Sequence, residues 1–357
     1  MIVRKLKLKL NASQERELER WLLSLASVYN FAVRKIELDA KDKIYHTPYS
    51  FQNLLNGHSK KIDIPSHTMQ GTLMQAYNAW QRCFKKLAKK PRLKGRRNKI
   101  NSIIFPDLIK QNYQNMSDNG YRINLPVIGK IKFHKQELPA GKIKMSRIIK
   151  KPSGWYLAVW IDAEHTFTVK DTDKAVGIDP GFKSLLTLSD GTKYENPREL
   201  RNGEKRLVQA QRGKRKKLAA RLLEKQTNRR NDRNHKISRK LVENYKVIKY
   251  SNDNFKGLAR THGKSVSEAS LGNLIGMITY KCRIGGREVI SVNSRFTTMT
   301  CSACGAKTGP HGWSGLAVRN WECSACGAVH DRDINSAIVV LNSGAGAALK
   351  EVGNGLN

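Results

Sequence analysis

Four of the six cysteines are spaced as metal ligands. Cys301 and Cys304 form one Cys-x-x-Cys turn, eighteen residues follow, and Cys323 and Cys326 form a second such turn. Two turns of this kind complete the tetrahedral sulfur site that structural zinc prefers, and a closed site leaves no position for a substrate. Two disulfides are the alternative. Residues 1–10 alternate like a strand rather than a secretory signal, which favours reduced cysteines in the cytosol.

Acidic residues form the second group suited to chemistry. Asp179 lies in the hydrophobic segment GIDPG (177–181), where an unpaired carboxylate is costly unless a cation offsets its charge. Asp331 and Asp333 open a helical pattern after the last cysteine pair. Each could simply cap a turn or a helix. Together they predict acidic ligands that the fold brings to one cation.

The composition predicts a polyanionic partner. The 357 residues include 66 Lys and Arg but 29 Asp and Glu, a formal net charge of +37. Self-repulsion on this scale disfavours a compact chain unless a polyanion offsets it, so nucleic acid is the expected partner. The charge excludes an ordinary neutral enzyme. No apolar run approaches the ~18 residues of a membrane-spanning helix, so no membrane partner is expected.

The elements that must position these residues follow from the hydrophobic periodicity. Residues 2–10 alternate as a half-buried strand, and amphipathic helical patterns cover 12–36 and about 66–88. Strand and turn signals fill 103–165, and helical signals return over 198–245. This order predicts an α+β protein of two or three domains.

Two segments concentrate the positive charge. Residues 85–101 form a basic loop that Pro91 and Gly95 keep out of a helix, and residues 201–240 carry 16 Lys and Arg against 3 Asp and Glu. Either segment could be only a solvated face, but the excess favours contacts with a phosphate backbone. The candidate nucleic-acid-binding residues are Lys94, Arg96, Arg97, Lys214, Arg215, Lys216, Arg229 and Arg230.

Several motifs, in order, resemble those of the TnpB family of transposon-encoded, RNA-guided DNA nucleases, which are relatives of the type V CRISPR effectors. The motifs are VYNFAV (28–33), PRLKGRRNKINSIIFP (91–106), LPVIGKIKF (125–133), GWYLAVWID (154–162), GIDPG (177–181), LVENY (241–245), NFKGL (254–258), GGREVI (285–290), CSAC twice, and DRDINSA (331–337). The resemblance covers nearly the whole chain.

The resemblance implies a multidomain α+β fold. An N-terminal wedge β-barrel with a helical recognition insert is followed by a RuvC (RNase H-like) α/β domain, which a zinc ribbon interrupts. The expected boundaries are 1–11 and 90–170 for the wedge, 12–89 for the insert, 171–296 and 330–357 for the RuvC-like domain with a basic helical hairpin at 198–245, and 297–329 for the zinc ribbon.

The nuclease site of the family holds three carboxylates around two divalent metal ions. Asp179 matches the first carboxylate and Asp333 the third. The second is a Glu in the family, but alignment on NFKGL (254–258) places Ser251 at that position. A serine is a neutral, weak ligand for a hard cation. We therefore expect a vestigial site without catalytic activity, to which Mg²⁺ binds weakly or not at all.

Two side chains near Ser251 bear on this expectation. Lys249 lies on the same strand face, and we expect it to reach toward Asp179 and Asp333 and replace the lost metal charge. Asp253 could instead supply the missing carboxylate. A shift of two residues moves a side chain about 6–7 Å along a strand, however, and metal geometry tolerates far less.

The resemblance thus implies an RNA-guided, sequence-specific protein that binds double-stranded DNA and has lost nuclease activity. Its partners would be a guide RNA and a target with a short adjacent motif. It would act in the bacterial cytoplasm, at the nucleoid, as a transcriptional repressor that forms an R-loop at a promoter. The alternatives are an active RNA-guided endonuclease that uses Asp253, and a guide-RNA-binding transposon accessory protein.

Overall fold

The computed structural model describes residues 1–96, 98–106, 122–134, 136, 138–163, 169–315 and 317–344. The chain divides into two units, Met1–His165 and Thr166–Asn357. Each unit combines a β-sheet with helices, so the predicted mixture of α and β structure is confirmed. None of the helices in the described ranges is both long and apolar enough to cross a membrane.

The first unit contains a six-stranded antiparallel sheet. Its strands are β1 (Ile2–Lys9), β2 (Ser102–Phe105), β3 (Arg122–Leu125), β4 (Gly129–Phe133), β5 (Lys142–Lys151) and β6 (Gly154–Asp162). They lie in the order β2-β5-β6-β1-β4-β3. The motif LPVIGKIKF contains the turn of the β3–β4 hairpin, where Val127 has a φ of 68°.

Four helices accompany this sheet: α1 (Ala12–Lys41), α2 (Pro48–Gln52), α3 (His58–Ile62) and α4 (Ser66–Phe84). Asn11 and Gln14 form a capping box that begins α1. The first half of α1 buries Trp21 in the core of the sheet. Its second half buries Val33 in a separate core with α4. One amphipathic helix therefore contributes to both cores of this unit.

The second unit contains a five-stranded mixed sheet. Its strands are β7 (Ala175–Pro180), β8 (Ser184–Leu188), β9 (Lys193–Glu195), β10 (Val247–Ser251) and β11 (Glu288–Val292). They lie in the order β11-β10-β7-β8-β9, and β11, β10 and β7 are parallel. Parallel neighbours end at the same edge of a sheet. Side chains at the carboxyl ends of β7 and β10 therefore meet.

Helices and a small hairpin complete the second unit. The helices are α5 (Glu199–Asn202), α6 (Glu204–Arg212), α7 (Lys216–Asn244), α8 (Phe255–Ala269), α9 (Leu271–Ile284), α10 (Gly312–Gly315) and α11 (Arg332–Asn342). Strands β12 (Asn320–Glu322) and β13 (Val329–Asp331) pair antiparallel. Leu241 of α7 and Leu274 of α9 are buried in the same core as Ile248 of the sheet.

Candidate functional site

The carboxyl ends of β7 and β10 bring the predicted acidic site together. Tyr250 pairs with Ile178 in the parallel ladder, so Ser251 follows at the level of Asp179. Asp253 lies two residues beyond the end of β10. The strand register thus places Asp179 beside Ser251, the residue that the motif alignment matches to the family Glu.

Helix α11 brings Asp333 to the same edge, because the helix lies directly on β7. A Cβ atom on Gly177 would lie 2.0 Å from the carbonyl oxygen of Ala337, so only glycine permits this approach. One residue nearer to the start of the helix, the hydroxyl of Ser336 contacts the carboxyl of Asp179. The first turn of α11, which carries Asp333, therefore lies near the end of β7.

The charge of Asp179 is strongly perturbed. Burial is the main cause that raises the pKa of Asp179 to about 7, and the negative charges of Asp333 and Asp253 raise it further. Ser336 and the positive charge of Arg332 act in the opposite direction. The three carboxyl groups therefore interact electrostatically. Near neutral pH, in the absence of a cation, a proton reduces their mutual repulsion.

Asp253 faces the serine that replaces the family Glu. Its carboxyl contacts the hydroxyls of Ser294 and Ser251, and these contacts partly offset the rise in the pKa of Asp253 that burial causes. Ser251 is 1% exposed, and its hydroxyl completes no hydrogen bond among the described residues. Its contact with Asp253 is therefore longer or more bent than a full hydrogen bond. Asp253 thus lies beside the Ser251 side chain, although it follows two residues later in the sequence.

Two guanidinium groups hold the carboxylate of Asp333. Arg332 Nη2 lies 3.0 Å from its Oδ1, and Arg319 Nη1 lies 3.3 Å from its Oδ2. The backbone N–H of Asp333 donates to Oδ1 of Asp331, which caps α11 as the sequence predicts. A cation that approaches Asp333 must compete with two positive charges already in contact with it.

Lys249 does not occupy the place expected from the sequence. Its Nζ donates to the carbonyl oxygens of Leu341 and Ser343, both at 2.8 Å, at the C-terminal end of α11. Asp333 lies in the first turn of that helix, eight residues from Leu341, or about 12 Å along the axis. The expectation that Lys249 replaces the metal charge is therefore wrong. The ammonium group binds carbonyls that a helix end leaves without partners.

The four predicted zinc ligands converge. Their sulfur atoms lie within 4.8 Å of one another, with 3.8 Å between Cys301 and Cys326 and 3.6 Å between Cys304 and Cys323. All four are free thiols, because a disulfide needs about 2.05 Å. Sulfurs around a tetrahedral zinc ion, at about 2.3 Å from it, would lie about 3.8 Å apart. The cluster is therefore compatible with zinc.

The carboxylates are less closely gathered than the cysteines. Among the described residues, the four cysteines form the one group of three or more His, Cys, Asp or Glu whose ligand atoms converge in this way. The charges of Asp253 and Asp333 raise the pKa of Asp179, but the carboxylate oxygens of the three residues do not converge as the sulfur atoms do. The acidic site thus differs from the cysteine site in the geometry that a bound ion requires.

Asn335 connects the cysteine cluster to the acidic site. Its Nδ2 donates to the carbonyl of Thr300 at 2.8 Å, and its Oδ1 accepts from the backbone N–H of Ser302 at 2.8 Å. Both bonds flank Cys301, so the first cysteine turn is attached to the helix that carries Asp333. Sequence reasoning placed Asn335 in a motif but gave it no role. The signal available was its position, two residues after Asp333.

Most of the predicted nucleic-acid-binding residues are exposed. Lys214, Arg215 and Lys216 lie at the turn between α6 and α7, and Arg229 lies on the surface of α7. Arg230 differs, because its guanidinium donates to the carbonyl of Ser267 and to the hydroxyl of Thr227. It is therefore engaged inside the protein, which weakens the prediction that it contacts nucleic acid.

In the basic loop, Lys94 is fixed by its surroundings. Its backbone N–H donates to Oδ1 of Asn30 at 2.6 Å, and its ammonium lies 4.9 Å from the ring centroid of Tyr29. Arg96 is exposed, whereas Arg97 lies outside the described residues. The loop thus offers Arg96 to solvent beside a lysine that packs on an aromatic ring.

Two protein-family models match the parts of the chain that carry the cysteines and the acidic residues. A family model described as Cas12f1-like, TNB domain matches residues 272–340, which include the cysteines and Asp333. The OrfB IS605 model, described as a probable transposase, matches residues 158–261, which include Asp179 and Ser251. The matched ranges therefore contain every part of the acidic site.

Named relatives agree with these models. A "Putative RNA-guided DNA endonuclease" of Streptomyces pristinaespiralis is 34% identical over 218 residues, which cover 57% of this chain and 52% of that protein. "TnpB-like protein L79" of Acanthamoeba polyphaga mimivirus is 30% identical over 206 residues, covering 50% of this chain and 39% of that protein. These models and relatives support the TnpB family that the sequence motifs indicate.

Another relative aligns over most of its length. The "Putative RNA-guided DNA endonuclease InsQ" of Escherichia coli (strain K12) is 24% identical, covering 95% of this chain and 91% of that protein. The chain spans about half the length of the Streptomyces relative. A solved Cas12f1-sgRNA-target DNA complex covers 96% of this chain and 99% of its own at 17% identity, but its TM-score of 0.38 supports no conclusion.

Proposed function

We propose that this TnpB-family chain is an RNA-guided protein that binds matched double-stranded DNA without cutting it. The observation that carries the proposal is the buried Ser251, which lies at the level of Asp179 where the family has a Glu. A hydroxyl cannot replace the charge or the reach of that carboxylate. The protein would repress transcription by forming an R-loop over a promoter.

The charges around the site support weak or absent Mg²⁺ binding. Asp333 is paired with Arg332 and Arg319, and the raised pKa of Asp179, about 7, favours a proton on that carboxyl over an anionic ligand. The carboxylates do not converge as the cysteines do. A bound divalent ion would supply the charge that stabilises the phosphoryl transfer. The residues present would hold that charge poorly.

The remaining parts of the proposal follow the family. The six-stranded sheet would be the wedge β-barrel, with α1 to α4 as its recognition insert. The five-stranded sheet would be the RuvC-like domain, interrupted by a zinc ribbon with a structural zinc at Cys301, Cys304, Cys323 and Cys326. The names of the relatives support guide RNA and target DNA as partners. A short DNA motif beside the target and a site of action at the nucleoid complete the proposal.

A second candidate function is RNA-guided cleavage with Asp253 in place of the family Glu. The contact between the Asp253 carboxyl and Ser251 favours it, as does the effect of Asp253 on the pKa of Asp179. This arrangement would require Asp333 to exchange its guanidinium partners for a cation. The two candidate functions therefore differ in whether Mg²⁺ displaces Arg319 and Arg332.

The test uses the full chain purified with its RNA, which is sequenced to identify the guide. With a matched duplex and Mg²⁺, we expect binding but no cleavage above that of Asp179→Ala. Ser251→Glu should restore an anionic ligand and raise Mg²⁺ affinity about tenfold or more. Cleavage by the unaltered chain that disappears in both Asp179→Ala and Asp253→Asn would overturn the proposal in favour of the second candidate.

A matched and a mismatched target separate RNA-guided binding from a general role in RNA binding. We expect the matched duplex to bind at least about a hundredfold more tightly in a gel shift, because pairing with the guide supplies the difference. Equal affinity for both duplexes would instead identify a guide-RNA-binding accessory protein of the transposon.

A further inference from the structure

The four cysteines of the metal cluster are not equivalent. Cys301 and Cys323, the first of each Cys-x-x-Cys turn, are both 1% exposed, whereas Cys304 and Cys326, the second of each turn, are exposed. A small molecule in solution therefore reaches two of the four side chains more easily than the other two. The pattern repeats in both turns, so it belongs to the motif rather than to one cysteine.

Matching backbone geometry produces this pattern. In the first turn, the N–H of Gly305 donates to the carbonyl of Cys301 at 2.9 Å, and Gly305 has a φ of 78°. In the second turn, the N–H of Gly327 donates to the carbonyl of Cys323 at 2.8 Å, and Gly327 has a φ of 71°. Positive φ at these two positions favours glycine. The two turns therefore share one conformation, which encloses the first cysteine and leaves the second toward solvent.

Side-chain hydrogen bonds add to the difference. Nε2 of His330 lies 3.1 Å from Sγ of Cys301, and the hydroxyl oxygen of Thr308 lies 3.1 Å from Sγ of Cys323. A zinc-bound thiolate carries no proton, so the ring N–H and the hydroxyl would be the donors. Within the described ranges, no side chain other than a cysteine makes such a contact with the sulfur of either second cysteine.

The ring of His330 is positioned by the small hairpin. His330 pairs with Trp321 across β12 and β13, and the centroids of their rings lie 4.8 Å apart. The strand register and the indole ring therefore fix the direction in which Nε2 points, toward Cys301. The donor belongs to the folded hairpin, so it is available to the sulfur site without a further rearrangement.

Burial and hydrogen bonding both lower the reactivity of a thiolate. A donor disperses the negative charge on sulfur, and outer groups of this kind change metal affinity by about 10- to 100-fold. Exposed thiolates without such donors are attacked first by electrophiles and oxidants. Cys301 and Cys323 combine burial with a side-chain donor, whereas Cys304 and Cys326 have neither.

We propose that Cys304 and Cys326 are a modification site for electrophiles and hydroperoxides, and that His330 and Thr308 protect the other two cysteines. The two exposed sulfur atoms, which lie within 4.8 Å of each other, give two electrons to hydrogen peroxide. One S–S bond forms, the O–O bond breaks, and two protons from solvent complete two water molecules. Two thiolates remain, too few to close a tetrahedral zinc site. The inference rests on the zinc of the proposed function.

The experiment uses the full chain purified with its RNA and loaded with zinc. Brief treatment with substoichiometric N-ethylmaleimide, followed by digestion and mass spectrometry, gives the rate of alkylation at each cysteine. We expect Cys304 and Cys326 to react at least about tenfold faster than Cys301 and Cys323. Cys282 is the internal control for the folded state, since burial raises the pKa of its thiol to about 12 and it should stay unmodified.

Hydrogen peroxide tests the oxidative step. We expect a disulfide between Cys304 and Cys326 in a non-reducing digest, together with release of zinc to a colorimetric chelator. Dithiothreitol and added zinc should reverse both changes. Zinc release that accompanies a disulfide of Cys301 or Cys323 would contradict the assignment.

Substitutions of His330 separate hydrogen bonding from packing. His330→Phe keeps a ring beside Trp321 but lacks the donor, so Cys301 should gain reactivity and zinc should dissociate about tenfold faster. His330→Gln retains an N–H and should stay near the unaltered chain. With cobalt in place of zinc, the sulfur-to-metal charge-transfer band should move to lower energy in His330→Phe but not in His330→Gln. Equal behaviour of the two variants would refute the protective role. Thr308→Val and Thr308→Ser make the same comparison at Cys323.

Zinc content keeps this inference separable from the proposed function. If the chain holds one zinc and the four cysteines of the cluster react at equal rates, the inference is wrong and the zinc assignment stands. If the chain binds no zinc, the zinc assignment is wrong and the inference falls with it. Binding of the matched duplex by the same preparation tests RNA guidance independently of both.

Discussion

Asp179 is the residue on which the acidic site depends most. Burial and the neighbouring carboxyls raise its pKa to about 7, so the protein holds a proton there that an unfolded chain would release near pH 4. The family solves the same repulsion with divalent ions. In this chain, a proton on Asp179 and the guanidinium groups that pair with Asp333 reduce that repulsion.

Replacing Asp179 by Asn should change how stability depends on pH. Because the folded pKa is raised, the unaltered protein loses stability as pH rises from about 4 to about 7, by up to about 4 kcal/mol. Asp179→Asn lacks this loss, so its Tm should exceed that of the unaltered protein at pH 8 and approach it at about pH 4. Thermal denaturation in Mg²⁺-free buffer across this range measures the effect.

Asp190→Asn is the matched control for that experiment. The hydrogen bond from the Tyr245 hydroxyl and those from Thr192 hold the pKa of Asp190 below its usual value, despite the opposing effect of burial. Its charge therefore stabilises the protein at neutral pH, and this variant should lower the Tm at pH 8. If the Tm of Asp179→Asn changed with pH as the Tm of the unaltered chain does, the raised pKa assigned to Asp179 would be contradicted.

At the scale of elements, α11 decides the geometry of both sites. Its first turn carries Asp333, its middle lies on β7, and its end binds Lys249. Asn335 attaches the first cysteine turn to the same helix. A change anywhere along α11 should therefore reach the acidic site through packing rather than through direct contact.

Gly177→Ala should destabilise the contact between β7 and α11. The added Cβ would lie 2.0 Å from the carbonyl oxygen of Ala337, a backbone atom that moves only with the whole helix. We expect a loss of about 3 kcal/mol or more in urea denaturation. Gly276→Ala in α9 meets nothing within 4 Å and should be neutral or stabilising by up to about 1 kcal/mol. Equal stability of the two variants would refute direct packing at Gly177.

Lys249→Met should cost stability without changing cation binding. The substitution leaves the carbonyls of Leu341 and Ser343 without their donor, a loss of about 1–3 kcal/mol. Lys246→Met is the control, since Lys246 pairs with the exposed Asp173 and should contribute little. Urea denaturation measures stability, and Mg²⁺ titration measures binding. Altered Mg²⁺ affinity in Lys249→Met would restore the charge-replacement hypothesis.

Loss of zinc should loosen the start of α11. We expect one zinc per chain by elemental analysis, and faster hydrogen exchange over residues 331–336 when Cys304→Ser removes a ligand, because Asn335 then loses its anchored partners. Cys83→Ser, remote from the cluster in sequence, should retain full zinc. Unchanged exchange in the zinc-free variant would show that α11 holds its position without the cysteine cluster.

The whole molecule carries a large excess of positive charge. A net charge of +37 suits a partner with many phosphates, since a heteroduplex of about 20 base pairs carries roughly 40 of them. Most of the predicted contact residues are exposed, consistent with that use. The exposed positive charge thus supports the proposed binding of nucleic acid.

Salt should weaken binding to an unmatched duplex steeply. With six to ten phosphate contacts, affinity should fall about 10³- to 10⁵-fold between 50 and 200 mM salt in filter binding. Replacing Lys214, Arg215 and Lys216 by Gln should lower the slope of log affinity against log salt concentration by about three. Lys236→Gln with Arg239→Gln is the control, because Asp232 and Glu243 already pair those charges. An unchanged slope in the triple variant would exclude that turn from the interface.

Much of the fold and part of the site could be predicted from the sequence. Hydrophobic periodicity located β1, α1 and the strands β5 and β6, because alternation and helical spacing are local properties. Spacing alone located the cysteine ligands, and the motif GIDPG placed Asp179 on a strand. The motif DRDINSA placed Asp331 at a helix start, where it is found. The substitution at Ser251 is likewise readable without coordinates.

Only the tertiary structure decided which side chains meet. Lys249 binds the end of α11 rather than the carboxylates, Arg319 reaches Asp333, and Asp253 turns back toward Ser251. These contacts depend on how α11 lies on β7, where the absence of a side chain at Gly177 sets the distance. Local patterns specify elements and the faces they bury, but partners far apart in sequence are selected by packing, which no single segment encodes.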